Sequence, residues 1–108
     1  MAYEVFITEA AQRDLADIVE YVAANDAPEK AVRRFSKIEA TILGLSEFPD
    51  RVVYPSDLVS EGLGEYREVL FKPYGIIYEV DGNAVYVYLV ADGRRDMHAL
   101  LQRRLLEG

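Results

Sequence analysis

The sequence contains no cysteine and only one histidine. The first absence removes disulfide frameworks and thiolate metal centres. The second leaves no set of imidazole ligands within one chain, so no metal or other cofactor is expected. No apolar run approaches the ~20 residues that span a bilayer. The opening residues lack a basic stretch followed by a long apolar core, and so do not read as a secretory signal. The expectation is a soluble cytoplasmic protein with no membrane partner. Glycine-rich phosphate loops, G-x-S-x-G, H-E-x-x-H and calcium-loop patterns are missing too, as are internal repeats and low-complexity segments.

What is present fits one globular domain spanning residues 1–108, with 51% hydrophobic and 29% charged residues. Nineteen acidic side chains against twelve basic ones give a net charge of −7, which argues against gripping nucleic acid by bulk charge. The charge is uneven. Residues 1–64 carry −6, residues 65–108 carry −1, and the last sixteen carry +2 from four arginines. An anionic partner would therefore be met from the C-terminal end.

Residues 3–8 alternate and are rich in β-formers, predicting a short strand. Thr8 followed by Glu9 reads as a helix N-cap with an acid in the first turn. Ala11, Leu15, Ile18, Val19 and Val22 then recur at helical spacing. Asn25 to Pro28 ends that helix, and Asp26 is placed to cap a second one with Pro28 in its first turn. Ala31, Phe35, Ile38, Ile42 and Leu45 form the buried stripe of this second helix. Its outer face carries Lys30, Arg33, Arg34, Lys37 and Glu39, and Pro49 closes it. Residues 50–64 read as a surface loop with a short strand at 52–54.

Three strands are predicted next, at 66–71, 74–80 and 84–91, with Asp81-Gly82-Asn83 as a hairpin turn. In the last strand, alternation puts Val85, Val87 and Leu89 on one face and Tyr86, Tyr88 and Val90 on the other. A short amphipathic C-terminal helix holds Met97, Leu100, Leu101, Leu105 and Leu106. The order β-α-α-β-β-β-α is α+β: an N-terminal strand and an antiparallel helical hairpin packed on a twisted, mostly antiparallel sheet.

Four groups of residues could carry function. Arg67, at the start of a strand, reads either as an edge cation paired with Glu68 or Glu79, or as a ligand for phosphate or a partner carboxylate. Asp92 to His98 lies where a strand leaves the sheet, a common place for functional groups. There Arg94 and Arg95 cannot both point the same way, so one can anchor on Asp92 or Asp96 while the other reaches out. His98 is the only side chain with an unperturbed pKa near neutrality, hence a candidate general base or simply a surface residue. Tyr66, Tyr74, Tyr78, Tyr86 and Tyr88 either pack across strands or stack on bases. The basic, leucine-rich segment with Arg103 and Arg104 docks on its own sheet or serves a partner.

Several runs together resemble one family. They are Tyr3 to Leu15 (YEVFITEAAQRDL), Phe48-Pro49-Asp50-Arg51, Tyr66-Arg67-Glu68-Val69 leading into Tyr74 to Val80 (YGIIYEV), and Asp92-Gly93-Arg94-Arg95-Asp96. In this order and spacing they resemble the RelE/ParE toxin superfamily of type II toxin–antitoxin modules. The resemblance implies a bacterial toxin neutralised by an antitoxin encoded beside it. The RelE branch is similar to ribosome-dependent messenger-RNA endonucleases that use Arg, Lys, Tyr or His side chains on the sheet. The ParE branch is known for inhibiting DNA gyrase without chemistry of its own.

One departure matters. After the strand-starting tyrosine the RelE pattern has arginine, as in Y-R-(I/L)-(I/V)-Y, whereas this chain has Gly75, which cannot contact phosphate. A ParE-like reading follows, with Arg67, Tyr74, Arg94, Arg95, Arg103 and Arg104 as candidate target-binding residues. The alternatives are a ribosome-associated endoribonuclease using Arg67, Arg95 and His98 as catalytic candidates, or a non-toxic remnant that only binds antitoxin. The implied antitoxin partner would lay a disordered acidic tail on Lys30, Arg33, Arg34 and Lys37. Whether the chain forms a homodimer is left open.

Overall fold

A computed structural model describes residues 2–47, 49 and 65–107. Its elements are β1 (Glu4–Ile7), α1 (Glu9–Asn25), α2 (Pro28–Gly44), β2 (Tyr66–Phe71), β3 (Tyr74–Asp81), β4 (Ala84–Asp92) and α3 (Met97–Glu107). The order is the one the sequence predicts, and the class is α+β. The predicted loop at 50–64 and its strand at 52–54 lie outside the described residues.

The four strands form one sheet in the order β1-β4-β3-β2. β1 runs parallel to β4, while β2–β3 and β3–β4 are antiparallel. Gly82, at φ 59°, takes the first position of the two-residue β3–β4 turn, where a left-handed backbone favours glycine. The β2–β3 turn contains a cis Lys72–Pro73 bond.

The hairpin α1–α2 covers the inner face of the sheet. Thr8 caps α1, its Oγ1 accepting from the Ala11 amide at 3.2 Å. Ala11 and Leu15 from α1 and Ile38 and Ile42 from α2 meet Ile76, Tyr78, Val85, Val87 and Val90 in one core. Burying one such isoleucine contributes roughly 2 kcal/mol. On the outer face α3 lies over Ile77, Leu89, Ala91 and Tyr66 through Met97 and Leu101. The basic, leucine-rich C-terminal segment therefore docks on its own sheet. Asp96 starts α3 by accepting the Ala99 amide at 3.0 Å.

Local geometry departs from the sequence reading at several points. Asp26 does not cap α2. Ala27 is the N-cap, without a side-chain hydrogen bond, and the Asp26 amide instead closes α1 on the Val22 carbonyl at 2.9 Å. α2 ends at Gly44 rather than at Pro49. The Pro49 carbonyl has another use, accepting the Tyr78 hydroxyl at 2.6 Å and Arg67 at 3.1 Å. β3 and β4 each run one residue further than expected.

The alternation in β4 also breaks. The register shifts at Ile77/Tyr78, which pair with Leu89 and Val87, so Tyr88 is an extra residue. This bulge keeps Tyr88 and Leu89 both on the outer face and sends Val90 into the inner core with Val85 and Val87.

Candidate functional site

β1 is four residues long and β4 is nine, so β1 lines β4 only as far as Val87. The last rung is the Thr8 amide on the Val87 carbonyl at 3.1 Å. Beyond it, two side chains do the work of a strand. Asp14, on α1, accepts the Val90 amide at 3.0 Å. Arg104, on α3, donates to the Tyr88 carbonyl at 2.8 Å. The two are joined by two parallel bonds of 2.9 Å, and their side chains are only 15% and 21% exposed. This bidentate pair ties α1, β4 and α3 together. It satisfies backbone groups that would otherwise lie open where β1 ends. Among the described residues no buried side-chain polar atom lacks a partner.

A cleft of about 610 Å³ opens beside this clamp, between α1, the start of β3 and the end of β4. It gathers Arg34, Tyr74, Arg94, Arg95 and Arg104, five of the residues the sequence singles out, with the carboxylates of Asp14, Asp17, Asp26 and Asp92 among them. The wall is therefore mixed in sign. Arg34 is half-buried, and not simply on the outer face of α2, because its guanidinium reaches the Tyr74 hydroxyl at 3.4 Å.

Of the adjacent arginines, Arg94 is the one that anchors. It grips Asp92 through two contacts of 2.9 and 2.6 Å. Its side-chain and backbone hydrogen bonds hold the Asp92 carboxyl down at about 2. The Arg95 side chain is exposed and makes no hydrogen bond or ion pair among the described residues.

The other candidates lie elsewhere. Arg67 is on the inner face, with Val69 and Phe71, and reaches the Pro49 carbonyl. His98 is half-buried in the first turn of α3. Arg103 is exposed on the same helix. Lys30, Arg33, Arg34 and Lys37 do converge, lining a smaller pocket of about 270 Å³ floored by Phe71 of β2. Tyr74 and Tyr78 belong to the inner core, whereas Tyr66, Tyr86 and Tyr88 face outward.

Gly75 sits on the outer face of β3. A Cβ placed there would overlap the Glu68 carboxylate and would come within 3.1 Å of the Met97 methyl. The space above residue 75 therefore holds an acid and a thioether. Sequence reasoning missed Asp14 and Phe71, and read Glu68 only as a partner for Arg67 and not as the neighbour of Gly75. For Asp14 a signal existed, since it stands one position before Leu15 on the shoulder of the apolar stripe. Among the described residues no group of His, Asp or Glu is arranged to hold a metal ion, and no helix is long and apolar enough to cross a membrane.

A profile of the family described as "ParE toxin of type II toxin-antitoxin system, parDE" matches residues 5–97. The chain belongs to the ParE toxin family. It is thus a toxin-component chain of the type II toxin–antitoxin class. No curated protein matches its sequence. Among solved structures, this ParE-family chain is similar to a chain of the chromosomal ParDE system of P. aeruginosa, at TM-score 0.71 and 16% identity over 84% of this chain and 96% of that one. A chain of the RelBE2 toxin–antitoxin complex of Mycobacterium tuberculosis gives TM-score 0.64 and 23% identity over 85% and 92%. An arginine-to-alanine double mutant of the E. coli toxin RelE in the free state gives 0.63 and 14% over 95% and 98%. At these identities the likeness is one of fold.

Proposed function

We propose that this ParE-family chain acts by binding a protein target, DNA gyrase, and that a cognate antitoxin neutralises it. One observation carries the choice of target. Where the RelE pattern has arginine this chain has Gly75, and the space above it is filled by Glu68 and Met97. A phosphoryl-transfer site needs positive charge around the scissile phosphate. At position 75 this chain supplies no cationic side chain, and Glu68 and Met97 leave no room for one. Arg95, free to reach out beside the mixed-charge cleft, suits a protein surface that offers carboxylates.

Purified protein added to a gyrase supercoiling reaction should inhibit it in proportion to dose. Full supercoiling at large molar excess would overturn the proposal. The endoribonuclease alternative, with Arg67, Arg95 and His98, predicts codon-positioned cleavage on translating ribosomes that is lost in Arg95→Ala with His98→Ala. Induction of the gene without its neighbour separates both from a non-toxic remnant, since growth would then continue unchanged.

For the antitoxin, the cationic pocket over Phe71 supports an acidic segment that carries an apolar side chain. Exchanging Arg33 and Lys37 for glutamate leaves the Arg34–Tyr74 contact in place. It should weaken the toxin–antitoxin complex at least tenfold, roughly the loss of two charged contacts. Unchanged affinity by calorimetry would discard that surface.

A further inference from the structure

The outer face of the sheet is only half covered by α3. The other half, toward β1 and the β3–β4 turn, carries two rows set by strand register. Glu4, Ala84 and Asp81 are neighbours in one. In the next, Phe6, Tyr86 and Glu79 stand in line across three strands and lead to Tyr66, which α3 already covers. No lysine or arginine stands in either row.

The aromatic rings are already arranged in pairs. Phe6 and Tyr86 stack with centroids 5.3 Å apart and planes 18° from parallel. Tyr66 meets Tyr88 edge to face at 5.6 Å. Phe6 is nevertheless 44% exposed. Glu79 stands between the two pairs, half-buried. One of its oxygens accepts the Tyr88 hydroxyl at 3.2 Å. The other has no partner among the described residues.

We propose that this half of the outer face, which no other described element covers, docks an arginine-bearing segment of a partner protein, one guanidinium pairing with Glu79 while it stacks on the neighbouring rings. Charge selects the occupant. Glu4, Asp81 and Glu79 share the face, with Glu65 next to Tyr66 in sequence, so the surface repels phosphate and attracts a cation. The rings select the kind of cation. A guanidinium is planar and weakly hydrated, so it can lie on a tyrosine face and still present two N–H groups to a carboxylate. An ammonium cannot do both. The partner's flanking apolar side chains would cover Phe6. The site is separate from the cleft and from the cationic pocket on α2, and holds whether or not gyrase is the target.

The test uses the full chain and a capped hexapeptide alternating arginine with leucine, with the citrulline form as the neutral isostere. In two-dimensional NMR the arginine peptide should shift amides of residues 4–6, 66, 79 and 84–88. The citrulline peptide should bind at least fivefold more weakly. Glu79→Gln keeps an acceptor for Tyr88 and the same shape, and should weaken arginine-peptide binding about fivefold; Phe6→Ala should do the same through lost stacking area. Added salt should reduce the affinity of the wild type more than that of Glu79→Gln. Shifts confined to other surfaces would overturn the proposal. So would equal binding by Glu79→Gln or the citrulline peptide, or an RNA oligonucleotide that shifts these same amides. Self-association abolished by Glu79→Gln would likewise replace the partner with a second copy.

Discussion

The two faces of the sheet are built from the same three long strands and are finished differently. The inner face is sealed by the helical hairpin, and its side chains are almost all apolar. The outer face is covered by α3 over one half and carries aromatic rings and carboxylates over the other. Charge sorts by face more than by position along the chain. Glu4, from the first strand, joins Glu79 and Asp81, from the third, on one surface. The cations of α2 converge on a pocket at the opposite side of the sheet, over Phe71. A net charge of −7 is therefore compatible with a locally basic surface. Alternation along each strand makes this possible, because neighbours in sequence report to different faces.

The faces are held together where, among the described residues, the outer edge of β4 has no strand beside it beyond Val87. Asp14 from the hairpin and Arg104 from the outer helix meet there across the strand edge. Asp14→Ala should produce the largest effect of any change that breaks the separation of the faces. It leaves the Arg104 guanidinium partly buried without its counter-charge and the Val90 amide without an acceptor. Losses of this kind cost about 2–3 kcal/mol, lowering Tm by roughly 10 °C in a domain of this size. Asp14→Asn, which keeps an acceptor, should lose less. Hydrogen exchange should accelerate first at Val90 and along α3. A variant with wild-type Tm would show that α3 is held by Met97 and Leu101 alone.

Much of this was readable in the sequence, for physical reasons. Long amphipathic periods specify α1 and α2, and Thr8 announces its cap. Gly82 marks the turn where a left-handed residue is needed. The β4 bulge was not readable, since nothing in the run Ala84 to Asp92 marks Tyr88 as the extra residue, and one such insertion moves Leu89 to the other face. Pro49 misled because a proline is an obvious helix stop, whereas α2 ends earlier and the Pro49 carbonyl serves Tyr78 and Arg67. The cationic stripe on α2 was visible as a periodicity. Its floor, Phe71, lies far away in sequence. In the first basic run near the C-terminus the sequence predicts that one arginine anchors on Asp92 or Asp96, and Arg94 does so on Asp92 while Arg95 does not. In the second run nothing marks Arg104 as the partner of Asp14. Partner choice among neighbouring cations depends on tertiary contacts that composition does not carry.

A smaller effect tests the outer face alone. Burial, and after it the Glu79 charge and hydrogen bond, push the Tyr88 hydroxyl up to about 12. Tyr66 is raised too, by burial first and then by the charges of Glu79 and Glu65. A tyrosine whose folded pKa lies above its unfolded value binds its proton more tightly when folded. Its contribution to stability is thus complete below pH 10 and is lost as pH rises from about 10 to about 12. Ultraviolet titration should show Tyr88 ionising near 12 and Tyr66 above the usual tyrosine range. Glu79→Gln removes the nearby charge and leaves burial in place, so the Tyr88 midpoint should fall only part of the way toward 10. A fall all the way would mean that the carboxylate, not the apolar cover from α3, sets the character of this face. An unchanged midpoint would mean that Glu79 is too well solvated to be felt by the ring it bonds, and an arginine brought to it from outside would then gain little.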